Sequence, residues 1–133
     1  AGNTNTCAQT VTVDPNPVDI EVVDLGNSCQ SGETGSQTSV AWTVNKLSGV
    51  GSWTYYYEIK NGSTVVANAT RTVTGSADSV NFTVNNITNT NLNYTITISG
   101  VTDDCGTTET NTANNSDTVT LFGVPDTGDI QTN

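Results

Sequence analysis

The chain has 133 residues, the size of one domain, of which 33% are hydrophobic and only 12% charged. Its 26 Thr, 17 Asn, 12 Gly and 11 Ser stand against two Lys, one Arg and no His or Met, a composition that argues against long amphipathic helices and coiled coils. A formal net charge of −10 argues against nucleic acid and an anionic membrane surface as partners, and no apolar run is long enough to cross a bilayer.

Period-2 alternation is the dominant signal along the chain. Val11 and Val13, then Val18, Ile20 and Val22, predict short strands near the start, with Pro15 and Pro17 punctuating the connection between them. Val40, Trp42 and Val44 share one face of the next strand, and Trp53, Tyr55, Tyr57 and Ile59 one face of the strand after it. Lys60-Asn61-Gly62-Ser63 carries an Asn-Gly pair suited to a type I′ hairpin, leading into a weaker strand from Val65 to Val73. Val80, Phe82 and Val84, then Leu92, Tyr94, Ile96 and Ile98, then Val119 and Leu121 complete about eight strands. Half-buried alternation in many short strands predicts an all-β fold, an immunoglobulin-like antiparallel β-sandwich of about 7–9 strands. Trp42, Trp53, Tyr55 and Tyr57 point to its core, and only Tyr56 of the aromatic run faces out. Residues 1–17 read as an N-terminal extension or edge strand, 18–122 as the sandwich and 123–133 as a tail.

Charge is uneven. Residues 1–45 hold five acids and residues 101–133 hold six, neither with a base; all three cations, Lys46, Lys60 and Arg71, lie between. The opening at Ala1, the scarcity of Lys and the abundance of Thr and Asn suit a secreted protein, extracellular or at the cell surface. Six N-x-S/T sequons occur, about the number chance gives in such a chain. Asn61 on a turn and Asn81 and Asn93 on outward strand faces are the glycosylation candidates.

Catalysis is not expected. Without His there is no imidazole base or metal ligand, and no nucleophile elbow, phosphate loop or paired-Cys motif occurs. No cofactor is implied, although Asp103 and Asp104 with Asp14 and Asp19 could supply oxygen ligands to calcium from separate loops. Solubility of the surface is the simpler account of these acids. Among three cysteines, Cys29 and Cys105 each follow an acidic strand end within the sandwich, and a Cys29–Cys105 disulfide is expected, leaving Cys7 free or intermolecular.

The run Gly49-Val50-Gly51-Ser52-Trp53-Thr54-Tyr55-Tyr56-Tyr57-Glu58-Ile59, the strand Asn93 to Ile98 and the segment Val101-Thr102-Asp103-Asp104-Cys105 resemble the repeated immunoglobulin-like and PKD-like modules of large Bacteroidetes surface proteins. Glu109, Asn114-Asn115 and the strand Asp117 to Leu121 are similar to bacterial cell-adhesion-related modules. The resemblance implies a non-catalytic subunit or module of an extracellular filament or adhesin. Its partners would be copies of itself, other cell-surface proteins or glycans. A glycan- or protein-binding module acting through its loops is the alternative.

Thr10-Val11-Thr12-Val13 also resembles Thr118-Val119-Thr120-Leu121. Such a segment can add to a neighbour's open sheet edge, with Val11 and Val13 as buried anchors, and head-to-tail repetition of that contact gives a filament. The simpler alternative folds the same segment back as the first strand of its own sandwich.

Overall fold

The computed structural model describes residues 16–26, 38–85 and 88–123, together with the backbone of 28–29. Among the described residues, eight strands run in chain order: β1 (Asp19–Asp24), β2 (Ser28–Cys29), β3 (Thr38–Ser48), β4 (Trp53–Asn61), β5 (Thr64–Val73), β6 (Ala77–Val84), β7 (Leu92–Asp103) and β8 (Ser116–Phe122). They form two sheets, one ordered β1-β3-β6 and the other β2-β8-β7-β4-β5. Every pairing is antiparallel except the two-residue contact of β2 with β8, which is parallel. This is the expected immunoglobulin-like β-sandwich.

The inward faces are those the alternation predicts. Val40, Trp42 and Val44 of β3 pack with Ile20 of β1 and Val80 of β6 against Trp53, Tyr55, Ile59, Ile96 and Leu121 of the other sheet. Each such aliphatic or aromatic side chain contributes about 1.5–3 kcal/mol by leaving water. Trp53 stacks on Tyr55 with ring centroids 5.2 Å apart, and its indole N–H donates to the Gly75 carbonyl at 2.8 Å, so these rings build the core. Hydroxyl pairs such as Thr54 with Thr72 and Thr95 with Thr118 line the wet face of the five-stranded sheet, which accounts for much of the threonine there.

Three local details depart from expectation. The β4–β5 turn is centred on Gly62-Ser63, not Asn61-Gly62, because Asn61 itself pairs with Thr64. Gly62, at φ 61°, holds the first central position, which favours glycine in a hairpin. Next, β7 continues past Ile98: its pairing with β4 slips between Thr54 and Tyr56, opposite Ser99–Thr102. The slip carries Gly100 (φ 61°) and reverses the alternation, so that Val101 and Asp103 turn inward.

The third departure is the disulfide. Cys105 is a free, exposed thiol. The backbone of Cys29 pairs with Phe122, beside the Leu121–Leu92 pair, whereas Cys105 follows the opposite end of β7. A strand of that length spans about 35 Å, and a disulfide needs Cα atoms within about 7 Å. The expected Cys29–Cys105 bond does not fit this fold. Cys7 lies outside the described residues.

Candidate functional site

Three groups of side chains decide which parts of the sandwich are closed and which are open. The first surrounds Asp103. Turned inward by the bulge and only 9% exposed, its carboxylate accepts N–H bonds from Val50 (2.9 Å), Cys105 (3.1 Å) and Thr107 (2.9 Å). The Val50 bond above all, with those from Thr107 and Cys105, holds the carboxyl below the usual carboxylate range against the opposing effect of burial. Asp104 accepts the Ser52 N–H at 2.7 Å, and its own N–H donates to the Val50 carbonyl. The β3–β4 loop comes this close only because it is glycine-rich. A Cβ on Gly49 (φ 115°) would lie 3.1 Å from both Val18 Cα and Asp103 Oδ2, and one on Gly51 (φ 68°) would strike the Asp104 carboxylate.

The second group closes the β1 flank. On the side away from β3, the Val18 N–H donates to Thr107 Oγ1 (3.0 Å), Ile20 to Glu109 Oε1 (3.1 Å) and Val22 to the Asn114 carbonyl (3.0 Å). The connection between β7 and β8 thus lies along β1 like a further strand. Glu109 also accepts from Asn115 Nδ2 at 2.5 Å, and Asn115 is 3% exposed. Burial, with the Asp19 carboxylate nearby, raises the Glu109 pKa despite these bonds.

The third group pins β5 to β6. Tyr55 Oη donates to Asp78 Oδ2 at 2.6 Å, Arg71 Nε lies 3.8 Å from the same oxygen, and Arg71 Nη2 donates to the Ser79 carbonyl at 3.4 Å. Burial first, then the bond to Asp78, pushes the Tyr55 phenol well above its ordinary range. Asp78 Oδ1 also accepts the Ser79 N–H, as Asp117 Oδ1 does for Thr118 on β8, so each carboxylate covers an outward amide of an edge strand.

Of the calcium candidates, Asp103 and Asp104 point their oxygens at backbone N–H groups, Asp19 lies on β1 beside Glu109, and Asp14 lies outside the described residues. Among the described residues, no group of three or more His, Cys, Asp or Glu is placed to hold a metal. Asn81 and Asn93 are exposed on outward strand faces and Asn61 is half-buried at the hairpin. The proposed anchors Val11 and Val13 lie outside the described residues. The Asp103 clamp escaped sequence reasoning because it depends on the bulge; Gly100 within an alternating run was its one signal.

The chain superimposes on the crystal structure of a CARDB domain from Pyrococcus furiosus, a complex with di-metal ions, with a TM-score of 0.56 and 18% identity, covering 86% of this chain and 93% of that one. The solution structure of the same domain gives a TM-score of 0.54 and 13% identity, covering 80% and 93%. The shared feature is the immunoglobulin-like sandwich. At such identity the likeness is one of fold alone, and it carries no adhesin identity from the Bacteroidetes modules. No family model and no curated protein matches the chain.

Proposed function

We propose that this chain is a non-catalytic structural module of an extracellular filament or cell-surface adhesin, joined to its neighbour by an N-terminal strand within residues 1–17. The observation that carries this reading is the closed β1 flank. A segment Thr10–Val13 folding back as the first strand of its own sandwich would most simply lie beside β1. That place is already filled, because the outward amides of Val18, Ile20 and Val22 are bonded to Thr107, Glu109 and Asn114. The segment alternates as a strand does and lacks an edge there, which favours donation to another copy. A Thr- and Asn-rich surface with Asn68, Asn81, Asn93 and Asn114 exposed suits an extracellular setting.

The test is negative-stain microscopy and sedimentation of the full chain beside a chain lacking residues 1–14. Filaments or oligomers from the first, and folded monomers from the second, are the expected pair. A full chain that is itself a monomer, and that merely loses stability on deletion, would refute the reading. Dispersed particles that bind a glycan array would favour the loop-binding alternative.

A further inference from the structure

The two sheets differ in width, and the difference leaves a notch. The three-stranded sheet ends at β6, while the other continues one strand further to β5. The inward face of β5 therefore overhangs: Ala67, Ala69 and Val73 touch the core yet remain half-buried, as does Phe82 of β6. Ser79 turns its N–H and C=O outward, to Asp78 and Arg71. Two and four residues on, Asn81 and Thr83 turn the same way, and beyond β3 their backbone groups have no partner among the described residues. Because β5 and β6 run antiparallel around the Thr74–Ser76 connection and Arg71 reaches Ser79, Ala69 and Ala67 stand opposite Asn81 and Thr83. The notch thus offers a row of free backbone groups beside a shelf of two small side chains. The Arg71–Asp78 pair closes one end of it.

Resting on the strand-donation reading above, we infer that this notch is the acceptor, and that the segment Thr10–Asp14 of a second copy occupies it. In that place the donated strand pairs with β6 and sets Val11 and Val13, two residues apart, over Ala67 and Ala69. The other edges fit worse. Beside β1 the amides of Val18, Ile20 and Val22 are already bonded to the β7–β8 connection, and β8 is met by β2 at Leu121–Phe122 and by Asp117 at Thr118. A strand added outside β5 would widen the overhang and bury little.

The donor must come from another copy because the chain's own segment is too short. Val18 is fixed beside Gly49, next to the Asp19–Ser48 pair. Asn81 pairs with Ala41, seven residues along β3 from Ser48, or roughly 23 Å. Five residues from Val13 to Val18 reach at most about 18 Å, before the lateral step across β3 and β6.

Amide hydrogen exchange on the full chain, the chain lacking residues 1–14 and the full-length Ala69→Arg variant tests this. Protection of 79–84 in the assembled full chain is expected, lost on deletion and restored by a peptide of residues 5–17. Ala69→Arg, which fills the shelf, should raise the concentration needed for assembly at least tenfold while leaving the monomer's circular dichroism unchanged. Protection appearing at 116–122 instead would overturn the acceptor assignment and leave strand donation standing. Protection of 79–84 within a monomer would overturn the second copy as occupant. A full chain that neither assembles nor differs in exchange from the deleted one would sink the strand-donation reading as well.

Discussion

The two flanks of this sandwich contrast in how they treat a sheet edge. At the β1 flank a connection of a dozen residues, Asp104–Asn115, is laid along the edge, and Thr107, Glu109 and the Asn114 carbonyl meet successive amides. At the β5–β6 flank one Arg71–Asp78 pair closes the near end, and the rest presents alanines and backbone that has no partner among the described residues. An exposed edge invites pairing with other chains, so the proposed acceptor lies on the flank left open among the described residues.

The largest expected effect lies on the closed flank. Asp103→Ala strands the N–H groups of Val50, Cys105 and Thr107 and releases the β3–β4 loop from the start of the β7–β8 connection. Its melting temperature should fall by roughly 10 °C or more, further than that of any single change on the open flank. A calorimetric scan showing equal losses on both flanks would remove the contrast.

The two carboxyls of the closed flank have opposite pH signatures. Asp103 is held below the usual carboxylate range, so its stabilisation is present above the ordinary Asp pKa and lost as pH falls through the lowered value. Glu109 is raised, so its contribution is present below the ordinary Glu pKa, about 4.3, and lost as pH rises through the raised value. Melting curves from pH 2 to 8 should show Asp103→Asn flattening the acid limb below about pH 4. Glu109→Gln should flatten the limb above it. A parallel offset of either variant across the whole range would contradict the assignment.

On the open flank, Tyr55→Phe removes one hydrogen bond and leaves Asp78 its bonds to Ser79 and Arg71. A loss of about 1 kcal/mol by denaturant melt is expected. Peptides over 69–79 should exchange faster, while those over 103–115 stay unchanged.

Much of this was legible in the sequence. Alternation in β3, β4, β6 and the first half of β7 named the core residues, because the side-chain period of a strand and one-sided burial leave few alternatives. Asp103 was visible only as an acid in a loop, since its meaning depends on a one-residue slip that turns Val101 and Asp103 inward. The disulfide expectation failed for a related reason. Cys29 and Cys105 both follow acidic strand ends, but sequence says nothing about which end of the sandwich each strand end occupies. The unequal sheet widths could not be read either, because β5 alternates just as it would beneath a covering strand.

The smallest change is the most discriminating for the open flank. Ala69 faces inward, half-buried, opposite Asn81, with no strand of its own chain above it among the described residues. In a filled core, adding methyl groups costs about 1–3 kcal/mol through overpacking. Over an empty shelf the same methyls cover the edge of the core and favour the strand, a gain of about 0.5 kcal/mol. Ala69→Val should therefore stabilise the chain lacking residues 1–14 and weaken assembly of the full chain, where a donated valine needs that space. The sign in the deleted chain decides. A lower denaturant midpoint there would mean that the shelf is already filled from within, and the two flanks would then be closed alike.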